Sequence, residues 1–393
     1  MSSQQLRAPL ARIDLTALSH NLQVVRRHAE GAKVFAVVKA DAYGHGMVAC
    51  AQALRQQADG FVVSTLGEGE ALRKGGITQR IMVLQGFSNV IEARLAARLL
   101  LEPVVHQDWQ VELIEKTSLG LPLSVWLKID TGMHRMGIAP EQVRALHARL
   151  MSSKRLRQPP GLMTHFARAD ELDVTPSEQQ LAVFYAATEG LAGERSVANS
   201  AGIFSGAAKG SLGDIVRPGI ALYGSNPLEH GSAQALGLRP VMQLQTRLLA
   251  VKWHQQGESV GYGGRFVCPE TMPVGVASIG YADGYPRITA SGTHVAVNGQ
   301  MARLAGRVSM DLITLDLRGI EAKVGDEVQL WGDQVALDHV AAAAGTLGYE
   351  LLCTAGKACQ RVYRPEPVAV CGVDEPGVST KGSSSAPQDH ARD

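Results

Sequence analysis

The chain is short of several things. It has almost no net charge: 38 Lys and Arg against 37 Asp and Glu leave a formal balance of +1 over 393 residues. That balance gives no reason to expect nucleic acid or an anionic membrane as partner. Cysteine is scarce and odd in number, with Cys50, Cys268, Cys353, Cys359 and Cys371 scattered and none at zinc-finger spacing. Reduced thiols in a cytoplasmic protein are the reading, with no disulfide framework and no metal site. No run approaches the roughly 20 apolar residues of a membrane span. The opening "MSSQQLRAPLARIDL" lacks the apolar core of a secretion signal. No internal repeat is visible. What is left is a soluble globular protein, long enough for two domains with sizeable cores.

From about residue 10 to about 225, short apolar runs alternate with amphipathic stretches. The strand candidates are "ARIDL", "VFAVVK", "GFVVS", "RIMVLQG", "LEPVVH", "LSVWLKID", "GLMTHF" and "GIALYG". Repeated β–α alternation implies a parallel sheet with helical cover. Eight such runs over this length predict a (β/α)8 TIM-like barrel, with an open doubly wound sheet as the competing arrangement. After about residue 235 the runs shorten, alternate with period two and are separated by Gly, Asn and Asp turns. That predicts a C-terminal, mostly-β domain with one helix near "LDHVAAAAGTLG". The expected division is 1–235 for the barrel, 236–367 for the β domain and 368–393 for a disordered polar tail.

Catalytic groups of a β/α barrel sit at the C-terminal ends of its strands. Lys39 ends "VFAVVK". Lys128 and Asp130 end "LSVWLKID", with Arg135 in the loop beyond. His165 ends "GLMTHF", Asn199 and Ser200 follow "ERSVA", and Arg217, Gly219 and Ile220 lead into "GIALYG". Each alone has a bland reading: a snorkelling lysine, a core histidine, a tight loop. Together they would converge on one mouth. A lysine among apolar walls loses charge stabilisation, which frees its amine to form a Schiff base. Pyridoxal phosphate needs such a lysine, a partner for its ring nitrogen and a phosphate cradle. The small residues of "SAG" and "RPGIALYG" let backbone N–H groups approach a phosphate. Arg217 could face the ring nitrogen and, as a donor only, leave it unprotonated.

"AVVKADAYGHG" resembles the cofactor-attachment motif of alanine racemases. "LKIDTGMHRMG", "MTHFARADE", "ANSAG", "VRPGIALYG", "VGYGGRF", "IGYADGYPR", "GRVSMD" and "GYELL" resemble that family in the same order. The resemblance implies pyridoxal 5'-phosphate as cofactor, a barrel followed by a β domain, and a head-to-tail homodimer with shared active sites. It implies that Lys39 holds the cofactor and acts as base on the D side. Tyr262 from the partner subunit would be the base on the L side. A racemase needs such groups on opposite faces of a planar carbanion. A phenol titrates near 10 and would need cationic neighbours to serve as a base.

The other roles come with the resemblance. Tyr43, Ser200, Gly219, Ile220 and Tyr349 would bind the phosphate, with Asn199 beside them. Arg217 would face the ring nitrogen, supported by His165. Arg135 would contact the cofactor's phenolic oxygen and the substrate carboxylate. Met310 would meet that carboxylate from the other chain, Asp311 would line the same wall, and Tyr281 would stand near the entrance. The lysine matching Lys128 is carbamylated in many family members. The segment Lys357 to Gln360 departs from the family pattern, by replacement or by a short insertion. The expected activity is interconversion of L- and D-alanine. A racemase of serine, lysine or arginine is the alternative, and a non-catalytic pyridoxal-binding protein a further one. The motifs do not separate D-alanine synthesis, as a peptidoglycan precursor, from D-alanine catabolism.

Overall fold

Eight short runs that are buried along nearly their whole length form parallel strands, as strands covered on both faces must. In the computed structural model, which describes residues 9–366, a preceding strand is β1 (Leu10–Asp14). The eight are β2 (Lys33–Val37), β3 (Gly60–Val63), β4 (Arg80–Val83), β5 (Leu101–Val105), β6 (Trp126–Lys128), β7 (Gly161–Met163), β8 (Arg195–Ser196) and β9 (Ile215–Val216). Their order is β8-β7-β6-β5-β4-β3-β2-β9. The pairing Asn199 with Arg217, and the Ser196 hydroxyl donating to the Ile215 carbonyl at 2.7 Å, join β8 to β9 and close the barrel. Helices follow the first seven of these strands, among them Leu66–Lys74, Val143–Ser152 and Thr175–Thr188. The helix Leu15–His28 covers the β9–β2 side. It is fastened there by the fully buried Asn21, whose amide donates to the carbonyls of Leu222 (3.0 Å) and Arg239 (2.7 Å).

Two of the expected barrel strands lie elsewhere. "ARIDL" is β1, which belongs to the second sheet. Its burial alternates residue by residue, the mark of a strand with one covered face. "GIALYG" forms a short 3-10 turn, Ile220–Tyr223, and the strand before it is Ile215–Val216. The proposed tail, with Cys371, lies outside the described residues.

The second sheet is built from β10 (Met242–His254), β13 (Met272–Ala277), β14 (His294–Val297), β15 (Gln300–Leu304), β16 (Ile313–Asp316), β17 (Glu327–Trp331) and β18 (Gln360–Arg364), together with β1. A separate ribbon pairs β11 (Ser259–Val260) with β12 (Phe266–Val267). β13 pairs with both β16 and the far half of β10, so the main sheet curls back on itself. β1 runs between β10 and β18, antiparallel to one and parallel to the other. Beside the expected helix, here Leu337–Ala343, lies a second, Gly348–Ala358. Gly348, Cys353, Thr354 and Gly356 are weak helix formers, so propensity hides it; burial of Leu351, Leu352 and Ala355 holds it. Only Cys359 separates that helix from β18, so Lys357 to Gln360 form a continuous crossing without a looped-out insertion.

At the N-terminal ends of the barrel strands, Arg80 on β4 makes a bidentate pair with Glu102 on β5 (2.6 and 2.9 Å) and a second pair with Glu194 (2.7 Å). The indole of Trp126 donates to Glu102 at 2.8 Å, and Arg80 also stacks 5.0 Å above Phe35. Replacing the buried Glu102 by alanine strands both donors. The expected loss is about 3 kcal/mol of unfolding free energy, read by denaturant titration against the parent chain.

Candidate active site

Beyond β2 the backbone does something costly. Ala40, Asp41, Ala42 and Tyr43 all lie in the left-handed region, with φ of 51°, 55°, 54° and 52°. Each such residue costs about 1 kcal/mol or more, so four in succession persist only where surroundings impose them. The Ala40 N–H donates to Glu68 Oε1 at 2.8 Å, and the Met47 N–H to Asp41 Oδ1 at 2.7 Å. His45 Nδ1 donates to the carbonyls of Ala42 (2.9 Å) and Tyr43 (3.0 Å). The Tyr223 hydroxyl donates to the Val37 carbonyl at 2.8 Å. Glu68 also accepts from Ser64 and Thr65 and completes the capping box of helix Leu66–Lys74. Sequence reasoning missed Glu68, although Thr65 and Glu68 carry the spacing of such a box.

The turn delivers Lys39 to a cavity of about 450 Å3 at the C-terminal mouth of the barrel. Tyr43, Arg135, His165, Asn199, Ser200, Arg217, Gly219, Ile220 and Tyr349 line it too. These are ten of the residues singled out in the sequence. The mouth is cationic. Arg217 is only 3% exposed, and its guanidinium donates to neutral acceptors: the Ser196 hydroxyl and the carbonyls of Thr164 (2.6 Å) and Val197 (3.4 Å). Burial pulls it down to about 10, which leaves it charged at neutral pH. Burial and then Arg135 hold the Lys39 amine below the usual lysine range. Lys128 is pulled down to about 8 by burial, then by Arg217 and Arg135. Its neighbour Asp130 caps the following loop, accepting from Gly132 (3.1 Å) and His134 (3.0 Å). His165 is held neutral by burial and by these same four cations; its Nδ1 faces Arg217 Nη2 at 3.4 Å and can only accept there.

Hydroxyl donors meet this positive field. Ser200 Oγ accepts the N–H groups of Gly219 (2.8 Å) and Ala221 (3.4 Å), which leaves its own proton to donate. A Cβ on Gly219 would fall 2.4 Å from the Tyr43 hydroxyl, so glycine there keeps that hydroxyl's place open. Burial pushes Tyr43 far above the usual phenol range and Tyr349 up to about 12, so both stay protonated donors. A lysine held short of its full basicity, a donor-only arginine and a set of protonated hydroxyls fit a phosphate-bearing aldehyde such as pyridoxal phosphate.

Tyr262, Tyr281, Met310 and Asp311 do not line this cavity. They lie exposed on the β domain, the first three at 70%, 39% and 54%. The loops of Tyr281 and Met310 are tied together through Tyr281 N–H to Ser309 O (3.1 Å) and Ala282 N–H to Met310 O (3.0 Å). A larger cleft, about 950 Å3, opens at the opposite end of the barrel. Lys33 and Arg80 there are each already paired with Glu194 at 2.7 Å, and that end of a β/α barrel serves stability.

Fold and mouth together define a barrel protein built for a small anionic ligand held beside a reactive lysine. Comparison with known proteins narrows this. The alanine racemase N-terminal domain profile matches residues 13–227, and the C-terminal domain profile residues 241–363. A catabolic alanine racemase of Pseudomonas putida is 49% identical over 349 residues, covering 88% of this chain and 97% of that protein. The crystal structure of a biosynthetic alanine racemase from Pseudomonas aeruginosa matches with a TM-score of 0.86 at 44% identity, over 91% of this chain and 99% of the other. That of a Bartonella henselae alanine racemase with covalently bound pyridoxal phosphate matches at 0.79 and 29%, over 91% and 99%. The chain belongs to the alanine racemase family.

The buried histidines give the fold a pH dependence. Burial pushes His45 down to about 4, and pushes His165 well below its ordinary value. In the unfolded chain both titrate near 6.5. Between those values the unfolded state binds more protons, so stability falls as pH is lowered from about 6.5 to about 4. His45 alone contributes about 3 kcal/mol of that loss. Denaturant unfolding of the cofactor-free protein across this range is expected to show the slope, and His45→Gln to flatten it.

Proposed function

We propose that the protein is a pyridoxal-phosphate-dependent alanine racemase that interconverts L- and D-alanine by two bases, Lys39 and Tyr262. The carrying observation is the half-buried Lys39 in a mouth lined by Arg135, Arg217 and phenolic and serine hydroxyls. When bound, the cofactor supplies an aldehyde for the lysine amine and an electron-withdrawing ring that makes the proton on the adjacent substrate carbon removable. The rest falls to the chain. Tyr43, Ser200 and Tyr349 would donate to the phosphate, with Asn199, Gly219 and Ile220 shaping its seat. Arg217 would present only N–H donors to the ring nitrogen, which would leave that nitrogen unprotonated and the ring a weaker electron sink. That disfavours side reactions that need a stronger sink. His165 holds Arg217 from behind. Arg135 binds the substrate carboxylate. Lys39 Nζ takes or returns the Cα proton on one face.

Tyr262 serves the opposite face from a second copy, in a head-to-tail homodimer whose partner also brings Met310, Asp311 and Tyr281 to the substrate. Two features support this: the exposure of that patch and its absence from the lining of the chain's own cavity. Lys128, held near 8, keeps a neutral fraction able to add carbon dioxide with loss of a proton. The resulting carbamate would offset the surrounding cations and orient Arg135. We read the enzyme as cytoplasmic; the thiols of Cys50, Cys268, Cys353 and Cys359 are free, and among the described residues no helix is long and apolar enough to cross a membrane.

Cofactor-loaded protein incubated in D2O with a panel of L-amino acids is expected to give Cα-deuterated D-alanine as the dominant product. Dominant D-serine, D-lysine or D-arginine would keep the chemistry and change the substrate; no exchange with any would overturn the racemase reading. In the same assay Lys39→Ala and Tyr262→Phe are each expected to be nearly silent alone. Mixed as a heterodimer they regain part of the activity, and failure to do so would contradict the shared site.

A further inference from the structure

The left-handed turn that carries Lys39 at one end and Tyr43 at the other is braced from the far end of the chain. Arg361 on β18 forms an ion pair with Asp41, in the middle of the turn, and its Nη1 lies 3.4 Å from the Gly44 carbonyl. The other Asp41 oxygen takes the Met47 N–H. Arg361 and Tyr363 stand two residues apart on β18 and so share a face. A Cβ on Gly46 would fall 2.0 Å from the Tyr363 hydroxyl, and one on Gly44 2.3 Å from the Leu352 carbonyl. Both glycines have positive φ, 81° at Gly44 and 92° at Gly46. The loop after the lysine is thus pressed onto helix Gly348–Ala358 and β18 with no room for a side chain. β18 is held in turn by β1, with Ala11 opposite Arg361 and Ile13 opposite Tyr363.

We propose that Arg361 is a positioning residue for the cofactor site: by pairing with Asp41 it fixes the left-handed turn, and so sets how Lys39 and Tyr43 are presented from the second domain. The proposal rests on the pyridoxal-phosphate reading of the mouth. Four residues in a disfavoured conformation need an external hold, and the pair is the charged contact that ties the centre of the turn to the β domain. Neither residue lines the cavity, so the effect passes through the turn.

The test uses the full chain, freed of cofactor and titrated with pyridoxal phosphate by absorbance, followed by steady-state kinetics with L-alanine. Arg361→Met keeps the apolar stem and removes the charge. Asp41→Asn keeps an acceptor for Met47 and removes the pair. Each is expected to raise the cofactor Kd about tenfold, the scale of one charge-assisted hydrogen bond. Each should lower kcat by a similar factor with KM for alanine nearly unchanged. Arg361→Lys is expected to restore part of the affinity, and the double variant to be no worse than either single one. A folded Arg361→Met protein with unchanged cofactor Kd would overturn the proposal, even if its melting temperature fell, as would losses that add in the double variant. If Arg361→Met does not fold, Asp41→Asn decides by the same Kd. A parent protein that binds cofactor but racemises nothing would sink the racemase reading and leave this comparison standing.

Discussion

Mutual repulsion among Lys39, Lys128, Arg135 and Arg217 at one mouth of the barrel shapes the rest of the molecule. Removed from water, two like charges about 6 Å apart repel by about 3 kcal/mol at an effective dielectric of 20. The chain answers that repulsion unevenly. Arg217 keeps its charge because a guanidinium is hard to deprotonate and its N–H groups reach neutral acceptors. Burial first, and then the neighbouring guanidinium groups, hold both lysines below the usual lysine range, since an ammonium gives up its proton far more readily. Burial, and then the same four cations, hold His165 neutral. The result is a field suited to an anion and an amine kept closer to its nucleophilic form, made from the same groups.

Such a site is costly to hold. The mouth adds strained backbone to electrostatic repulsion, whereas the opposite end of the barrel carries Arg80, Glu102, Glu194 and Lys33 in mutually satisfied pairs. The β domain then supplies what the barrel does not. Its helix Gly348–Ala358 and β18 press on the loop after Lys39, and β1, the first strand of the described residues, anchors β18. The two domains are therefore one device at this point: the barrel presents the groups and the β domain holds the turn.

Much of this was legible in the sequence, because a barrel places chemistry at strand ends and strand ends can be read. Lys39, His165 and Arg217 follow apolar runs directly, and all three reach the cavity. The reading failed where local pattern and tertiary role part company. β1 looks like a first barrel strand by position, and only its alternation gives it away. Helix Gly348–Ala358 has poor propensity and exists through packing. Asp41 and Arg361 are 320 residues apart, and no local signal joins them. Tyr262 has no sequence pattern that marks a base. Only its family resemblance suggested a role, and in a single chain it lies exposed, away from the cavity.

The left-handed turn presents Lys39, rather than the nearby Lys128, to the cavity where an aldehyde would bind. Borohydride reduction of the pyridoxal-phosphate-loaded protein, followed by proteolysis and peptide mass mapping, tests it directly. A single stoichiometric pyridoxyl-phosphate adduct on Lys39 is expected. An adduct on Lys128, or labelling spread over surface lysines with none on Lys39, would contradict it.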